Sequence, residues 1–402
     1  MTATGPSTAR ATAIGLASGA ALLGAFLALG WRDLDAAWAG LDFNGALFED
    51  FLGPYWNTAR GLAAGEPSPA PGYLYPAFGA WLLAPLAGLG PAGASWLCLG
   101  LMAGAAALLL ASLLRLRPAR SDGEAALVGA AVLLAHPVVH GAYWGQAALP
   151  VTALSVAAFA AWSAGRSATG GALVGVAAAV KLTPLVLLLA PAARRDGRAL
   201  VAGLGAFVAC AVLVPALLMG PADLAAFHAE AASQLRELAG SASTGVGGRG
   251  SQDPGALLAR LAGDGAFWIG KAAGLGVSAL AVRAAFQELR EAAPSWERAL
   301  VLLAAVPWLL VTPTWAHGLA WSVVAWRLGW AAGGTARALA LGSALLGTLP
   351  LLRLVADPVR HASLGLPAAA AALALAAAAL TAARSSPDSL SPGRDDAADT
   401  RP

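Results

Sequence analysis

Long apolar blocks recur along this chain of 402 residues, in which only 12% of the residues are charged. Soluble domains carry about 25% charged residues, so this composition is far from theirs. A block of about 20 apolar residues is long enough to cross a membrane as a helix. The candidate blocks are 11–31, 92–114, 125–141, 146–165, 199–219, 264–284, 299–313, 316–332, 338–356 and 363–383. The sequence therefore predicts an all-α polytopic membrane protein with about 10–12 transmembrane helices.

Two further apolar segments, 76–90 and 168–193, are predicted not to cross. The first is about 15 residues long, which is short for a span, and we expect a juxtamembrane or re-entrant hairpin. The second is preceded by Arg166 and followed by Arg194. Basic residues prefer the cytoplasmic side, so both flanks of this segment are expected on that side. Segment 168–193 is therefore predicted to enter the membrane and return as two half-helices that turn near Lys181–Pro184.

This arrangement places the basic clusters inside and the long loops 32–75 and 220–262 outside. Residues 1–383 then form one transmembrane domain whose first span is retained and is not a cleaved signal peptide. Residues 384–402, rich in Ser, Asp and Pro, are predicted to be a disordered cytoplasmic tail. All five histidines fall at the outer face, namely His136, His140, His228, His317 and His361. We therefore expect a plasma-membrane protein with its polar chemistry on the extracytoplasmic face.

The first outer loop contains Asp50, which lies shortly before a Gly-Pro pair and two aromatic residues. We expect a Gly-Pro turn and then a short helix from about Tyr55 to Ala64, flat in the interface, with Tyr55 and Trp56 as anchors. A carboxylate held there is suited to take a proton from a hydroxyl of a sugar or lipid. A solvated loop acid and a helix cap are equally compatible with this local pattern. Asp42 is a competing position for the base.

Lys181 lies inside an apolar block, where an uncompensated cation costs at least a few kcal/mol. A lipid phosphate is the natural partner, and snorkelling to an interface is the alternative. Lys271 lies near the end of its span, where snorkelling suffices. His136 and His140 have the i, i+4 spacing of helical metal ligands. A neighbouring proline, together with the lack of a nearby acid, favours hydrogen bonding to a sugar instead.

Two tracts lie in and after the first predicted outer loop: DFLGPYWNTARGLAAGEP (50–67) and YLYPAFGAWLLAPLAGL (73–89). They resemble the first-loop signature of glycosyltransferase family 87, whose actinobacterial members are GT-C enzymes that use polyprenyl-phosphate sugars and are typically mannosyltransferases. HPVVHGAYWGQAALP (136–150) is similar to its Gly-Gln-x-Asn turn, and GALVGVAAAVKLTPLVLLL (171–189) to its Lys-x-x-Pro segment. GSQDPGALLARL (250–261) and TPTWAHGLAW (312–321) resemble two later motifs, and all the patches occur in the family's order.

The resemblance implies that Asp50 is the catalytic carboxylate of an inverting transfer from a polyprenyl-phosphate donor. The acceptor would be lipid-linked or a glycan. We expect the donor phosphate to be bound by Lys181, Arg60 and Arg260. We expect the sugar or acceptor to be bound by Tyr55, Glu66, His140, Gln146, Gln252, Trp315 and His317. The chain departs from the family's residues at Ala77, Ala148, Ser251 and Gly318.

No cofactor is expected, because the leaving phosphate is a single anion, although a divalent metal is compatible with the transfer. The expected partners are the donor, the acceptor and membrane lipids, with no nucleic acid. The alternative from another class is a lipid or solute transporter or flippase, since a broken helix with an intramembrane lysine is also a transporter feature. Two features weigh against it: the Lys-x-x-Pro segment is not repeated, and the carboxylates lie in an outer loop. An arabinofuranosyltransferase and a non-catalytic assembly subunit are further alternatives.

Overall fold

The computed structural model describes residues 5–30, 48–244, 251–311, 314, 316–348 and 366–381. These residues are mostly helical, and no β-strand occurs among them apart from an isolated bridge between Ala135 and Thr348. The predicted all-α polytopic class is confirmed. The predictions made for Asp42, His361, Trp315 and the tail 384–402 fall outside the described residues.

The α-helices are numbered here in chain order. They are α1 (Thr8–Gly30), α2 (Asn57–Ala63), α3 (Ala77–Leu83), α4 (Pro91–Leu116), α5 (Asp122–Leu133), α6 (His136–Trp144), α7 (Ala148–Ser163), α8 (Ser167–Val180), α9 (Leu189–Ala193), α10 (Gly197–Val208), α11 (Val214–Met219), α12 (Pro221–Thr244), α13 (Pro254–Ala262), α14 (Phe267–Arg290), α15 (Trp296–Leu310), α16 (Ser322–Ala332), α17 (Gly334–Gly347) and α18 (Leu366–Leu380). Short π-helical segments (Phe51–Trp56, Ala209–Leu213) and 3-10 segments (Ala84–Leu86, Thr183–Leu188, Asp264–Ala266, Ala316–Leu319) lie between them.

Within the described residues, three helical stretches are long and apolar enough to cross a membrane: Pro91–Leu116, Gly197–Met219 and Asp264–Arg290. The predicted continuous span 125–141 is wrong, because the chain breaks between α5 and α6. Pro137 is the second residue of α6, and it lacks the N–H that would continue the α5 hydrogen-bond pattern. The predicted outer loop 220–262 also differs from a plain loop, because α12 and α13 occupy most of it.

The buried core is formed largely by α4, α7 and α15. Leu109 of α4, Phe159 of α7 and Leu303 of α15 have no exposed surface. Helix α15 is apolar around most of its circumference, as expected for a helix enclosed by others. These three helices therefore form the frame around which the remaining helices pack.

Glycines allow two pairs of helices to pack in parallel at very short distance. In the first pair, Gly15 and Gly19 of α1 face Gly129 of α5. In the second pair, Gly171 of α8 faces Ala199 of α10, and four residues later Gly175 faces Gly203 in the same direction. A Cβ atom on Gly171 would collide with the backbone carbonyl of Ala199. Small residues at a spacing of four let helix backbones approach in this way.

The parallel packing of α8 and α10 requires the intervening chain to return to the end at which α8 began. The 3-10 segment Thr183–Leu188 and helix α9 make this return, and Leu188 lies against Gly203 on the way back. At the base, the Asp196 carboxylate lies beside Ser167, the first residue of α8. The predicted reversal of the chain within 168–193 is therefore present, with its tip directly after Val180 at the end of α8.

The basic flanks of the apolar blocks meet at one end of the helix bundle. Arg117, after α4, donates two hydrogen bonds of 2.9 and 3.0 Å to Glu297 at the start of α15. Arg10 pairs with Asp122 at 2.5 Å, and Arg194 donates to the carbonyl of Leu289 at 2.8 Å. The same end contains Arg298, paired with Glu288, and Arg327, which donates to the carbonyl of Leu113. The residues predicted to share the cytoplasmic face thus do share one end.

We predict that Gly171→Ala destabilises the protein, whereas Gly205→Ala does not. The added methyl group at position 171 must push α8 away from the α10 backbone, which costs about 1–3 kcal/mol. At Gly205, nothing lies within 4 Å of an added Cβ. Alanine there is expected to raise stability slightly, because glycine is unfavourable inside a helix. The thermal midpoint of each variant in detergent measures the difference, and equal midpoints would contradict the close packing.

Candidate active site

Asp50 directly precedes the π-helical segment Phe51–Trp56, which continues into α2. The predicted Gly-Pro turn is wrong, because Pro54 lies inside this segment. Pro54 has no N–H for the carbonyl of Asp50, four residues earlier, and the wider π-helical pattern accommodates that loss. Upstream, the N–H of Phe48 donates to the carbonyl of Tyr143 at 2.8 Å, which ties the start of this region to α6.

The two aromatic residues of this segment point into the protein. Tyr55 is 5% exposed and Trp56 is 3% exposed, so the prediction that they are interfacial anchors is wrong. Tyr55 stacks on Tyr75, with ring centroids 5.3 Å apart and planes 15° apart. Tyr73, which is fully buried, packs edge-on against both rings. The π-helical segment is thus held by an aromatic cluster in the protein interior.

Gln146 fixes the Asp50 carboxylate. Its side-chain NH₂ donates a hydrogen bond to Asp50 Oδ2. Its Oε1 atom faces the hydroxyl groups of Tyr55, at 3.3 Å, and Tyr75, at 3.5 Å. Both tyrosines donate to the same oxygen, so the amide has only one orientation that satisfies all three contacts. The carboxylate is therefore held by a side chain 96 positions further along the chain.

The position of Gln146 depends on Gly145. Helix α6 ends at this glycine, which has a left-handed backbone with φ of 67°. A Cβ atom there would lie 2.5 Å from the Cβ of Phe51 and 2.9 Å from the Sγ of Cys98. Glycine is thus required both by the backbone conformation and by the lack of space. The close approach brings α6, α4 and the Asp50 segment together.

Burial raises the pKa of Asp50 above its ordinary value, and the nearby Glu49 carboxylate raises that pKa further. The hydrogen bond from Gln146 and the positive charge of Lys181 act in the opposite direction. The side chain makes no capping hydrogen bond to the helix that follows, so it is not a helix cap. A half-buried carboxylate with a raised pKa is suited to accepting a proton.

Lys181 lies at the tip of the hairpin, where α8 ends in an extended residue. Its Nζ atom is 5.3 Å from the centroid of the Tyr75 ring. No carboxylate of the described residues forms an ion pair with it, although its charge acts on Asp50 and on His317. The ammonium group is thus a cation available to a bound anion.

Three histidines line the same region. The ring of His140 lies 5.4 Å from that of His136 and 5.5 Å from that of His317. His317 comes from the 3-10 segment Ala316–Leu319, which packs on α6 at Gly141. The structure therefore brings Asp50, Tyr55, Gln146, Lys181, His140 and His317 into one connected group, which we call the Asp50–Lys181 cluster.

The remaining predicted site residues lie elsewhere or are not described. Arg60 is exposed on α2, and Glu66 is exposed after it, with its backbone N–H bonded to Gly61. Arg260, on α13, lies within electrostatic reach of Asp253. The backbone of Gln252 donates to Thr314 and accepts from Trp308. Trp315 falls outside the described residues.

Lys271 is not a snorkelling residue. Its Nζ atom pairs with the fully buried Asp253 at 3.0 Å and donates to the carbonyl of Leu310 at 3.1 Å. Asp253 also caps α13 and accepts from the hydroxyl of Ser251, which in turn accepts from the N–H of Thr314. The predicted snorkelling is wrong, because the Lys271 ammonium group points into the protein, to Asp253 and to the carbonyl at the end of α15.

Sequence reasoning missed Tyr73 and Tyr75 as site residues. Both occur in the tract YLYP, which also carries part of the family resemblance. The hydroxyl of Tyr73 donates to the carbonyl of Pro76 at 2.8 Å and accepts from the N–H of Ala80, so its role is structural. Tyr75 contacts Gln146 and Lys181 directly. An aromatic pair at a spacing of two, next to a proline, was the available signal.

The family model named Glycosyltransferase family 87 matches residues 73–313. The matched region contains Tyr75, Gln146 and Lys181, whereas Asp50 precedes it and His317 follows it. No curated protein and no solved structure matches the chain. The match covers more than half of the 402 residues. The chain therefore belongs to glycosyltransferase family 87 and is a membrane glycosyltransferase.

Proposed function

We propose that this chain transfers a sugar, which we take to be mannose, from a polyprenyl monophosphate to a lipid-linked or glycan acceptor. One observation carries the proposal: a fixed, half-buried carboxylate, Asp50, lies within electrostatic reach of the Lys181 ammonium group. Among the described residues, no carboxylate forms an ion pair with Lys181. A transfer of this kind needs a base for the acceptor and a positive charge for the departing phosphate. Family membership decides against the transporter alternative.

In this mechanism, Asp50 takes the proton of an acceptor hydroxyl while that oxygen attacks the anomeric carbon of the donor sugar. The bond between the anomeric carbon and the phosphate oxygen breaks, and the phosphate leaves with the electron pair. Attack opposite to the leaving group inverts the configuration. Lys181 stabilises the negative charge on the departing lipid phosphate. No cofactor enters the reaction, since these two side chains supply the base and the charge, and a divalent metal remains compatible with it.

The other cluster residues take supporting roles. Gln146 holds Asp50 by its NH₂ and is itself held by tyrosines, so we assign it to orienting the base. His317 lies within electrostatic reach of Lys181, and His140 packs beside it, so we assign both to hydroxyl groups of the sugar or acceptor. Tyr55 forms the inner wall behind Gln146. We retain Arg60 and Arg260 as proposed ligands of the donor phosphate. We retain Glu66, Gln252 and Trp315 as proposed ligands of the sugar or acceptor.

We place this chemistry on the extracytoplasmic face of the plasma membrane. The basic residues meet at one end of the bundle, which the positive-inside tendency assigns to the cytoplasm. Along α4, Cys98 lies beside Gly145 near Asp50, and Leu116 lies at the basic end. The helical rise separates these two residues by about 27 Å. A membrane hydrocarbon core is about 30 Å thick, so the two ends fit opposite faces.

Asp50→Asn is expected to lower sugar transfer by about 100-fold or more, because the amide cannot take the acceptor proton. Transfer is measured with radiolabelled polyprenyl-phosphate mannose in membranes containing equal amounts of each variant. The matched control is Glu49→Gln, which removes the neighbouring exposed carboxylate and should retain transfer. Full activity of Asp50→Asn would overturn the assignment of the base. If the protein transferred sugar only from polyprenyl-phosphate arabinose, the donor sugar would be arabinofuranose and the assignment of mannose would be wrong.

The pH dependence of kcat/KM should show an acid limb above the ordinary carboxyl pKa of about 3.9. Asp50 is inactive when protonated, and its pKa is raised by burial. Gln146→Leu removes a hydrogen bond that favours the charged form, so the limb should move to higher pH. Glu49→Gln removes a nearby negative charge, so the limb should move to lower pH. If the acid limb stayed at the same pH in both variants, Asp50 would not be the group whose titration it reports.

A reporter inserted at residue 240, near the end of α12, should report an extracytoplasmic location. A second reporter after residue 120, between α4 and α5, should report a cytoplasmic location. Enzyme reporters that are active on only one side of the membrane give the readout. The reversed pattern would move the Asp50–Lys181 cluster to the cytoplasmic face.

A further inference from the structure

Tyr75 contacts the cation of the cluster and also the side chain that holds its carboxylate. Its ring lies 5.3 Å from Lys181 Nζ, within the range of a cation–π contact. The same ring stacks on Tyr55, whose hydroxyl donates to the Oε1 atom of Gln146. The hydroxyl of Tyr75 reaches that oxygen as well, at the long distance of 3.5 Å. One side chain thus touches the cation and the side chain that holds the base.

Lys181 needs such a contact. It follows the end of α8 in an extended conformation, so the regular helix no longer restrains it. A lysine side chain is a flexible stem of four carbons, so the position of its charge is poorly defined without a contact partner. Among the described residues no carboxylate forms an ion pair with it. The Tyr75 ring is the contact that the structure provides for its ammonium group.

Resting on the proposed function, we propose that Tyr75 is a positioning residue, whose ring holds the Lys181 ammonium group at a fixed place relative to the Gln146-bound Asp50 carboxylate. The donor phosphate then binds a cation that is already oriented. The acceptor hydroxyl binds next to a base that lies at a fixed distance from that cation. Correct placement of reacting groups accounts for a large part of enzymatic rate enhancement. Neighbouring Tyr73 differs, since its hydroxyl is fully used by backbone partners.

Steady-state transfer by three variants tests this role. Tyr75→Leu removes the ring and should raise the KM for the polyprenyl-phosphate donor by about tenfold, while the KM for the acceptor stays the same. Tyr75→Phe keeps the ring and should restore the donor KM to within about twofold of wild type. Tyr143→Leu is the matched control and should leave both constants unchanged, because the Tyr143 ring packs edge-on against Trp144 alone among the described rings. Equal rises in both KM values would indicate general disruption and overturn the proposal.

A double-variant cycle shows whether Tyr75 acts through Lys181. Dissociation constants for a long-chain polyprenyl monophosphate are measured with wild type, Tyr75→Leu, Lys181→Met and the double variant in nanodiscs. Tyr75→Leu should weaken binding in the wild-type background and have no further effect beside Lys181→Met. Additive effects, or no effect of Tyr75→Leu alone, would overturn the proposal. The absence of sugar transfer would overturn the proposed function. The dissociation constants would still decide the role of Tyr75, because binding needs no turnover.

Discussion

The backbone contact between α8 and α10 determines where the cation of the site lies. Gly171 and Gly175 allow the two helices to run in parallel at a distance that no side chain permits. Two consecutive parallel helices require a return between them, and the return creates a tip inside the bundle. Lys181 occupies that tip because α8 ends at Val180. A packing constraint between small residues thus places the Lys181 ammonium group beside the Tyr75 ring.

The other half of the site is assembled by hydrogen bonds between distant parts of the chain. Asp50 directly precedes the segment Phe51–Trp56, and Gln146 follows the end of α6. Tyr75 belongs to the segment between them and also reaches Lys181. The Gln146 amide is buried beside the Tyr55 ring, where an unpaired donor or acceptor is costly. The contacts therefore reinforce one another, since moving one side chain leaves the others without partners.

The sequence was sufficient to predict the helical class and the hairpin at 168–193, because apolar length and the placement of arginines follow from membrane physics. The grouping of Asp50 with Lys181 was also predicted, although their roles remain proposals. The π-helical start at Phe51 was not predicted, since it depends on how the chain accommodates Pro54. Nor were the pairing of Lys271 with Asp253 and the two contacts of Tyr75, because each joins residues whose proximity exists only after folding.

The parallel contact of Gly15 and Gly19 with Gly129 has a consequence for biosynthesis. Helix α1 is synthesised before its partner α5, and Gly129 follows Gly15 by more than 100 residues. At roughly 5–20 residues per second, α1 waits for about 5–20 s before that surface is available. During this time its glycine face must be occupied by lipid or by the insertion machinery. Helix α1 therefore completes this contact only after the intervening helices α2 to α4 have been synthesised.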